Sequence, residues 1–185
     1  MSIRTFIALE IPEEPINKIL QIKNGVLGES FRAKWEPKEK LHITLKFLGD
    51  STGEIVNSTM NLLDNITREI HRFELTVDKF GVFIKNNDPK IFWIGMKPNR
   101  DLSDFSNRLN RECANFGFEM EKREFKPHIT LLRFRGYEDS EKVLSLTKVI
   151  LPEIKFYADK VIYFESKLLP SGSVYNPIKS FYLKN

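Results

Sequence analysis

From residue 41 to 47 the chain reads Leu-His-Ile-Thr-Leu-Lys-Phe, apolar and polar by turns, the period of two that a half-buried strand imposes. Leu41, Ile43, Leu45 and Phe47 then form an apolar face, and Lys40, His42, Thr44 and Lys46 the opposite one. Alternation or enrichment in β-branched and aromatic residues predicts strands near 3–10, 41–48, 73–83, 90–96, 127–134, 155–167 and 174–183. Helical spacing fills the gaps between them: 13–27 with Ile16, Ile19, Leu20 and Ile22, and 53–70 with Ile55, Val56, Met60, Leu62, Leu63 and Ile66. Ser51 and Glu54 read as a capping box for the second helix. A third helix at 101–116 is closed by Gly117 as a left-handed cap, and a shorter one is expected over 139–149. The strands at 73–96 and after 155 leave no room for crossover helices, so hairpins, an antiparallel sheet and an α+β class are expected.

The letters His-Ile-Thr-Leu occur twice, at 42–45 and 128–131, in a chain with three histidines. Both copies precede an aromatic residue and a glycine, Phe47 and Gly49 in one, Phe134 and Gly136 in the other. The repeat predicts two lobes within one domain spanning 1–185, related by an approximate internal two-fold.

Each copy turns a histidine and a threonine to one side of its strand, roughly 6–7 Å apart along the backbone. A hydroxyl donates to a phosphate oxygen without adding charge, and an imidazole takes or gives a proton near neutral pH. Displacement at phosphorus needs a base for the entering oxygen and an acid for the leaving one, which two such strands supply. A single His-Ile-Thr in a strand reads as structural, whereas two matching copies point to chemistry. A zinc site wants three or four protein ligands, and neither strand carries a carboxylate on its polar face. His71 stands alone at a helix end and reads as a surface residue.

Hydrophobic residues at 41% and charged ones at 29% fit a globular protein, and no run approaches the roughly 20 apolar residues of a bilayer span. The cytoplasm is the expected location, with no membrane association. Lys and Arg exceed Asp and Glu by 29 to 25, a mild bias toward an anionic partner. Cys113 lies on the apolar face of the third helix and reads as a buried thiol.

Five stretches carry a family resemblance: "IRTFIALEIP" at 3–12, "AKWEPKEKLHITLKFLG" at 33–49, "PKIFWIGM" at 89–96, "FKPHITLLRF" at 125–134 and "ESKLLPSGSVYNPIKSFYL" at 165–183. The sequence resembles the two-histidine phosphoesterases, specifically the RNA 2',3'-cyclic phosphodiesterases first described as 2'-5' RNA ligases, the LigT-like family. The resemblance implies a bilobal α+β fold in which two antiparallel sheets face a central cleft, with helices outside. It implies metal-independent hydrolysis of an RNA 2',3'-cyclic phosphate end to a 2'-phosphate with no cofactor, and allows reversible 2'-5' RNA ligation. The partner is then an RNA end or a related nucleotide, and a monomer is expected. His42 is implied as the acid protonating O3', His128 as the base activating water, and Thr44 and Thr130 as phosphate ligands. Arg133 corresponds to an arginine that often closes the second motif, although strict alternation would turn it away from His128 unless a bulge intervenes. Lys46 is a second cationic candidate for the phosphate, and Trp35, Phe6 and Tyr175 are candidates to stack on a base. A binding module of the same fold without catalysis is the alternative.

Overall fold

The structure, a computed structural model, describes residues 2–28, 31–170 and 172–185; Ser171, inside the closing hairpin, lies outside them. The elements run β1 (Ser2–Glu10), α1 (Glu13–Leu27), β2 (His42–Thr52), α2 (Gly53–Glu69), β3 (Phe73–Lys85), β4 (Asp88–Met96) and α3 (Arg100–Ala114). They continue with β5 (His128–Arg133), α4 (Ser140–Ser145), β6 (Lys155–Ala158), β7 (Lys160–Leu169) and β8 (Gly172–Tyr182). Among the described residues, eight strands form one antiparallel sheet in the order β6-β3-β4-β5-β2-β1-β7-β8. The α+β class and the hairpins expected from the sequence are present.

The sheet has two four-stranded halves, β6-β3-β4-β5 and β2-β1-β7-β8, which meet where β5 touches β2 through the single register pair Ile43 and Ile129. The two expected sheets are therefore joined edge to edge at the strands that carry the repeated letters. In each half the motif strand follows a helix and pairs with the strand before that helix, β1-α1-β2 in one and β4-α3-β5 in the other.

One face of the sheet carries the core. Ile43, Leu45, Ile129 and Leu131 are buried there with Ile16 and Ile19 of α1, Leu63 and Ile66 of α2 and Leu102, Phe105 and Leu109 of α3. Each fully buried aliphatic or aromatic side chain contributes about 1.5–3 kcal/mol. The opposite face of the two motif strands is left for polar groups.

Several local expectations shift. The cap of α2 is Thr52, whose hydroxyl accepts from Ile55 N at 3.4 Å, while Ser51 is buried against Thr5, Oγ to Oγ1 at 2.8 Å. The span 155–167 divides at Asp159 into β6, which pairs with β3, and β7, which pairs with β1, in opposite halves of the sheet. Gly117 adopts the left-handed conformation expected of it, φ 85°. The 139–149 helix is a single α-helical stretch to Ser145 continued by a 3-10 turn, Leu146–Lys148.

Candidate active site

The first four residues of each motif obey alternation: Ile43 and Ile129 are fully buried, and His42, Thr44, His128 and Thr130 are half-buried on the other face. Then both strands break register. In β2 the partner of Ile7 is Lys46 and that of Ala8 is Thr44, so Leu45 is an extra residue. In β5 the partner of Phe92 is Leu132 and that of Trp93 is Thr130, so Leu131 is the extra residue. A β-bulge of this kind reverses the side on which the following side chains lie, in β2 as far as a second register shift at Leu48.

The consequence is the same in both strands. Leu45 and Lys46 both turn inward, as do Leu131 and Leu132, and the next residue, Phe47 or Arg133, emerges on the histidine face. A donor from elsewhere in the chain secures the carbonyl at each bulge. Ser106 of α3 donates to Leu45 O at 3.5 Å, and the Glu36 amide donates to Leu131 O at 2.8 Å.

His42, Thr44, His128, Thr130 and Arg133 thus line one cleft, together with Lys40, Glu36, Phe47 and Tyr175. The rings are held by matching contacts. His128 Nδ1 is 2.7 Å from Lys126 O, and His42 makes a backbone hydrogen bond with Lys40, in each case two residues back. His42 Nε2 lies 3.2 Å from Thr44 Oγ1. Aromatic rings flank each imidazole. Phe6, Phe164 and Tyr175 surround His42 with centroids at 5.2, 6.0 and 5.5 Å, while Phe83 and Trp93 stand 4.9 and 6.1 Å from His128.

Burial beneath those rings disfavours the charged imidazolium. It pushes His42 down to about 4, opposed by the Lys40 backbone and reinforced by the charges of Arg133 and His128. His128 is lowered by burial and by Arg133, with the Lys126 carbonyl acting the other way. Both rings therefore favour the neutral form at physiological pH.

Three sequence expectations are corrected. Lys46 does not reach the cleft: the Leu45 bulge turns it inward, 7% exposed, with Nζ donating to Asn110 Oδ1 and Glu119 O, both at 2.6 Å. Trp35 packs on the core side against Phe92, with Lys23 over its ring at 4.3 Å, and is not placed to stack on a base in the cleft. Phe6 is 1% exposed and supports the His42 ring from behind instead of offering a stacking face. Tyr175 does line the cleft, and so does Arg133, through the bulge its position required.

Phe47, expected on the apolar face, is 62% exposed on the cleft side. Sequence reasoning overlooked Phe47, Lys40 and Glu36. Aligning "HITLKF" on "HITLLR" would have revealed the first, since Phe47 and Arg133 both stand five residues after their histidine. His71 lies outside the cleft, with Nδ1 3.0 Å from Asn185 O. Cys113 is buried in α3 and its thiol is pushed up to about 11, as expected of a packing residue. Among the described residues no helix is long and apolar enough to cross a membrane, and no group of three or more His, Cys, Asp or Glu side chains is arranged to hold a metal ion.

Known proteins share both sequence and architecture with this chain. The LigT like Phosphoesterase family profile matches it twice, over residues 9–93 and 94–175, and each match contains one His-Ile-Thr strand. RNA 2',3'-cyclic phosphodiesterase from Thermotoga maritima is 31% identical over 93% of this chain and 91% of its own length. The protein of the same name from Methanothermobacter thermautotrophicus is 26% identical over 99% and 100%. The crystal structure of Escherichia coli LigT complexed with 3'-AMP superposes with a TM-score of 0.78 at 25% identity, covering both chains fully. The twofold profile match, the full-length relatives and the shared architecture together place this chain in the LigT-like phosphoesterase family.

Proposed function

We propose that the chain hydrolyses 2',3'-cyclic phosphate ends of RNA, leaving a 2'-phosphate, with His42 and His128 as acid and base. The observation that carries this reading is the convergence of two His-x-Thr pairs and Arg133 on one cleft, from strands 86 positions apart in sequence but adjacent in the sheet. The names of the full-length relatives support the substrate class.

In this mechanism Thr44, Thr130 and Arg133 hold the non-bridging phosphate oxygens. His128, whose Nδ1 proton is donated to Lys126 O, keeps the lone pair of Nε2 for a water proton. Water oxygen bonds to phosphorus, the P–O3' bond breaks, and His42 gives its proton to O3'. Burial favours neutral His42, and the anionic charge of a bound substrate favours its imidazolium, so His42 takes up its proton when the substrate binds. With a 5'-hydroxyl in place of water the same steps, in the same direction and with the same histidine roles, join RNA ends through a 2'-5' bond; their reversal cleaves that bond and exchanges the roles.

The chain acts as one domain, residues 1–185, made of two pseudo-symmetric lobes, and as a monomer in the cytoplasm; the matched topology of β1-α1-β2 and β4-α3-β5 supports the lobes. The deciding experiment incubates the protein, in chelator, with a short oligonucleotide ending in a 2',3'-cyclic phosphate. A 2'-monoester product is expected, with kcat lowered roughly 10²–10⁴-fold in His42→Ala or His128→Ala. Binding of the oligonucleotide without turnover by the unaltered protein would favour the non-catalytic module instead.

A further inference from the structure

Within a cleft that is to receive an anion stands a carboxylate. Glu36 Oε1 is 3.4 Å from Arg133 Nε, and the Glu36 side chain is the less exposed of the two, 22% against 52%. It is no chance surface pair, because the Glu36 amide donates to Leu131 O, the carbonyl at the bulge that brings Arg133 into the cleft. The other full charges lining the cleft are Lys40 and Arg133. Lys40 is itself anchored, Nζ to Ser173 O at 2.6 Å and 5.8 Å from the Tyr175 ring centroid. Setting aside the imidazoles, one of which carries a proton once substrate is bound, the charges lining the cleft among the described residues are two cations and one anion.

The two sides of the proposed reaction differ in charge. A cyclic phosphodiester carries one negative charge, whereas its monoester product, with a second pKa near 6, carries close to two at neutral and alkaline pH. A fixed carboxylate beside the phosphate ligand repels the second charge more than the first. We propose that Glu36 is a specificity-determining residue that makes the cleft prefer the singly charged cyclic phosphate over the doubly charged monoester, and so expels the product. The proposal rests on the phosphodiesterase reading given above.

The test compares two ligands in the unaltered protein and in Glu36→Gln, which keeps the shape and the backbone bond but removes the charge. Adenosine 2'-monophosphate serves as the inhibitor and adenosine 2',3'-cyclic phosphate as the substrate, each at about pH 8 and about pH 5. Glu36→Gln is expected to lower Ki for the monoester about tenfold at the higher pH while KM for the cyclic phosphate moves less than about threefold. Near pH 5, where the monoester carries about one charge, the gap should close. Glu36→Asp, which keeps the charge, should retain the unaltered ratio. Glu36→Ala gives a second route to the same reading if the glutamine variant is not recovered folded.

Equal changes for both ligands, or no change for either, would overturn the proposal and leave Glu36 as a tether for Arg133. Absence of cyclic phosphate turnover in the unaltered protein would overturn the phosphodiesterase reading instead. The ratio of the two dissociation constants, measured by calorimetry, would still report on Glu36.

Discussion

Burial among Phe6, Phe164 and Tyr175 pushes His42 down to about 4, against about 6.5 in an unfolded chain. Between those values the unfolded state binds the proton and the folded state does not. Stability therefore falls as pH drops through that window, by up to about 1.4 kcal/mol per unit from this residue. The urea midpoint should decline between about pH 6.5 and 4, and His42→Gln should flatten part of the decline; an identical slope in the variant would show that the proton is taken up elsewhere. Arg133 belongs to the same scale. As the guanidinium beside both rings, its loss in Arg133→Ala should weaken phosphate binding by about 2 kcal/mol, seen in titrations with inorganic phosphate. Unchanged affinity would remove Arg133 from the phosphate site.

At the scale of elements, the site is a property of two bulged strands and of the strand that backs them. Without the extra residues Leu45 and Leu131, Arg133 would face the core and Phe47 the helices. The His128 ring leans on Trp93, and Trp93 in turn lies across Gly81 of the paired strand β3. A Cβ on Gly81 would stand 2.3 Å from two Trp93 ring carbons, a separation that forces the indole to move. Gly81→Ala should cost about 1–3 kcal/mol of stability and reduce turnover through displacement of His128. The two effects are read by urea unfolding and by kcat on a cyclic phosphate; full activity in a destabilised variant would show that the platform does not steer the imidazole.

For the whole molecule, the seam between the halves matters most. β2 and β5 share one register pair, Ile43 and Ile129, both with no exposed surface, yet the two histidines must face the same cleft across it. Ile43 and Ile129 share one buried cluster with core side chains of α1, α2 and α3, so the halves should unfold as a unit. Ile129→Ala is expected to lower stability by about 2–5 kcal/mol while preserving a single transition, with tryptophan fluorescence and far-UV circular dichroism coincident. Separate transitions for the two probes would show that each half is stable by itself.

Legibility differs from residue to residue. The alternation in "LHITL" and its second copy sufficed to place His42, Thr44, His128 and Thr130 on one face, because a strand's period of two is local and needs no partner. Helix positions, the hairpins and the family resemblance were legible for the same reason: apolar spacing and short motifs are written in consecutive residues. The fate of Lys46, Phe47 and Arg133 was not, since each depends on a bulge, and those bulges are held by Ser106 and Glu36, remote in the chain from the carbonyls they capture. Likewise Trp35 looked like a residue to stack on a base until the bridge to Leu132 and the packing on Phe92 turned it to the core. Sequence alone determined the paired His-x-Thr set that the chain carries. Tertiary structure decided which cation and which carboxylate share the cleft with it, because charge acts through space and only the folded sheet brings residues 36, 42, 128 and 133 together.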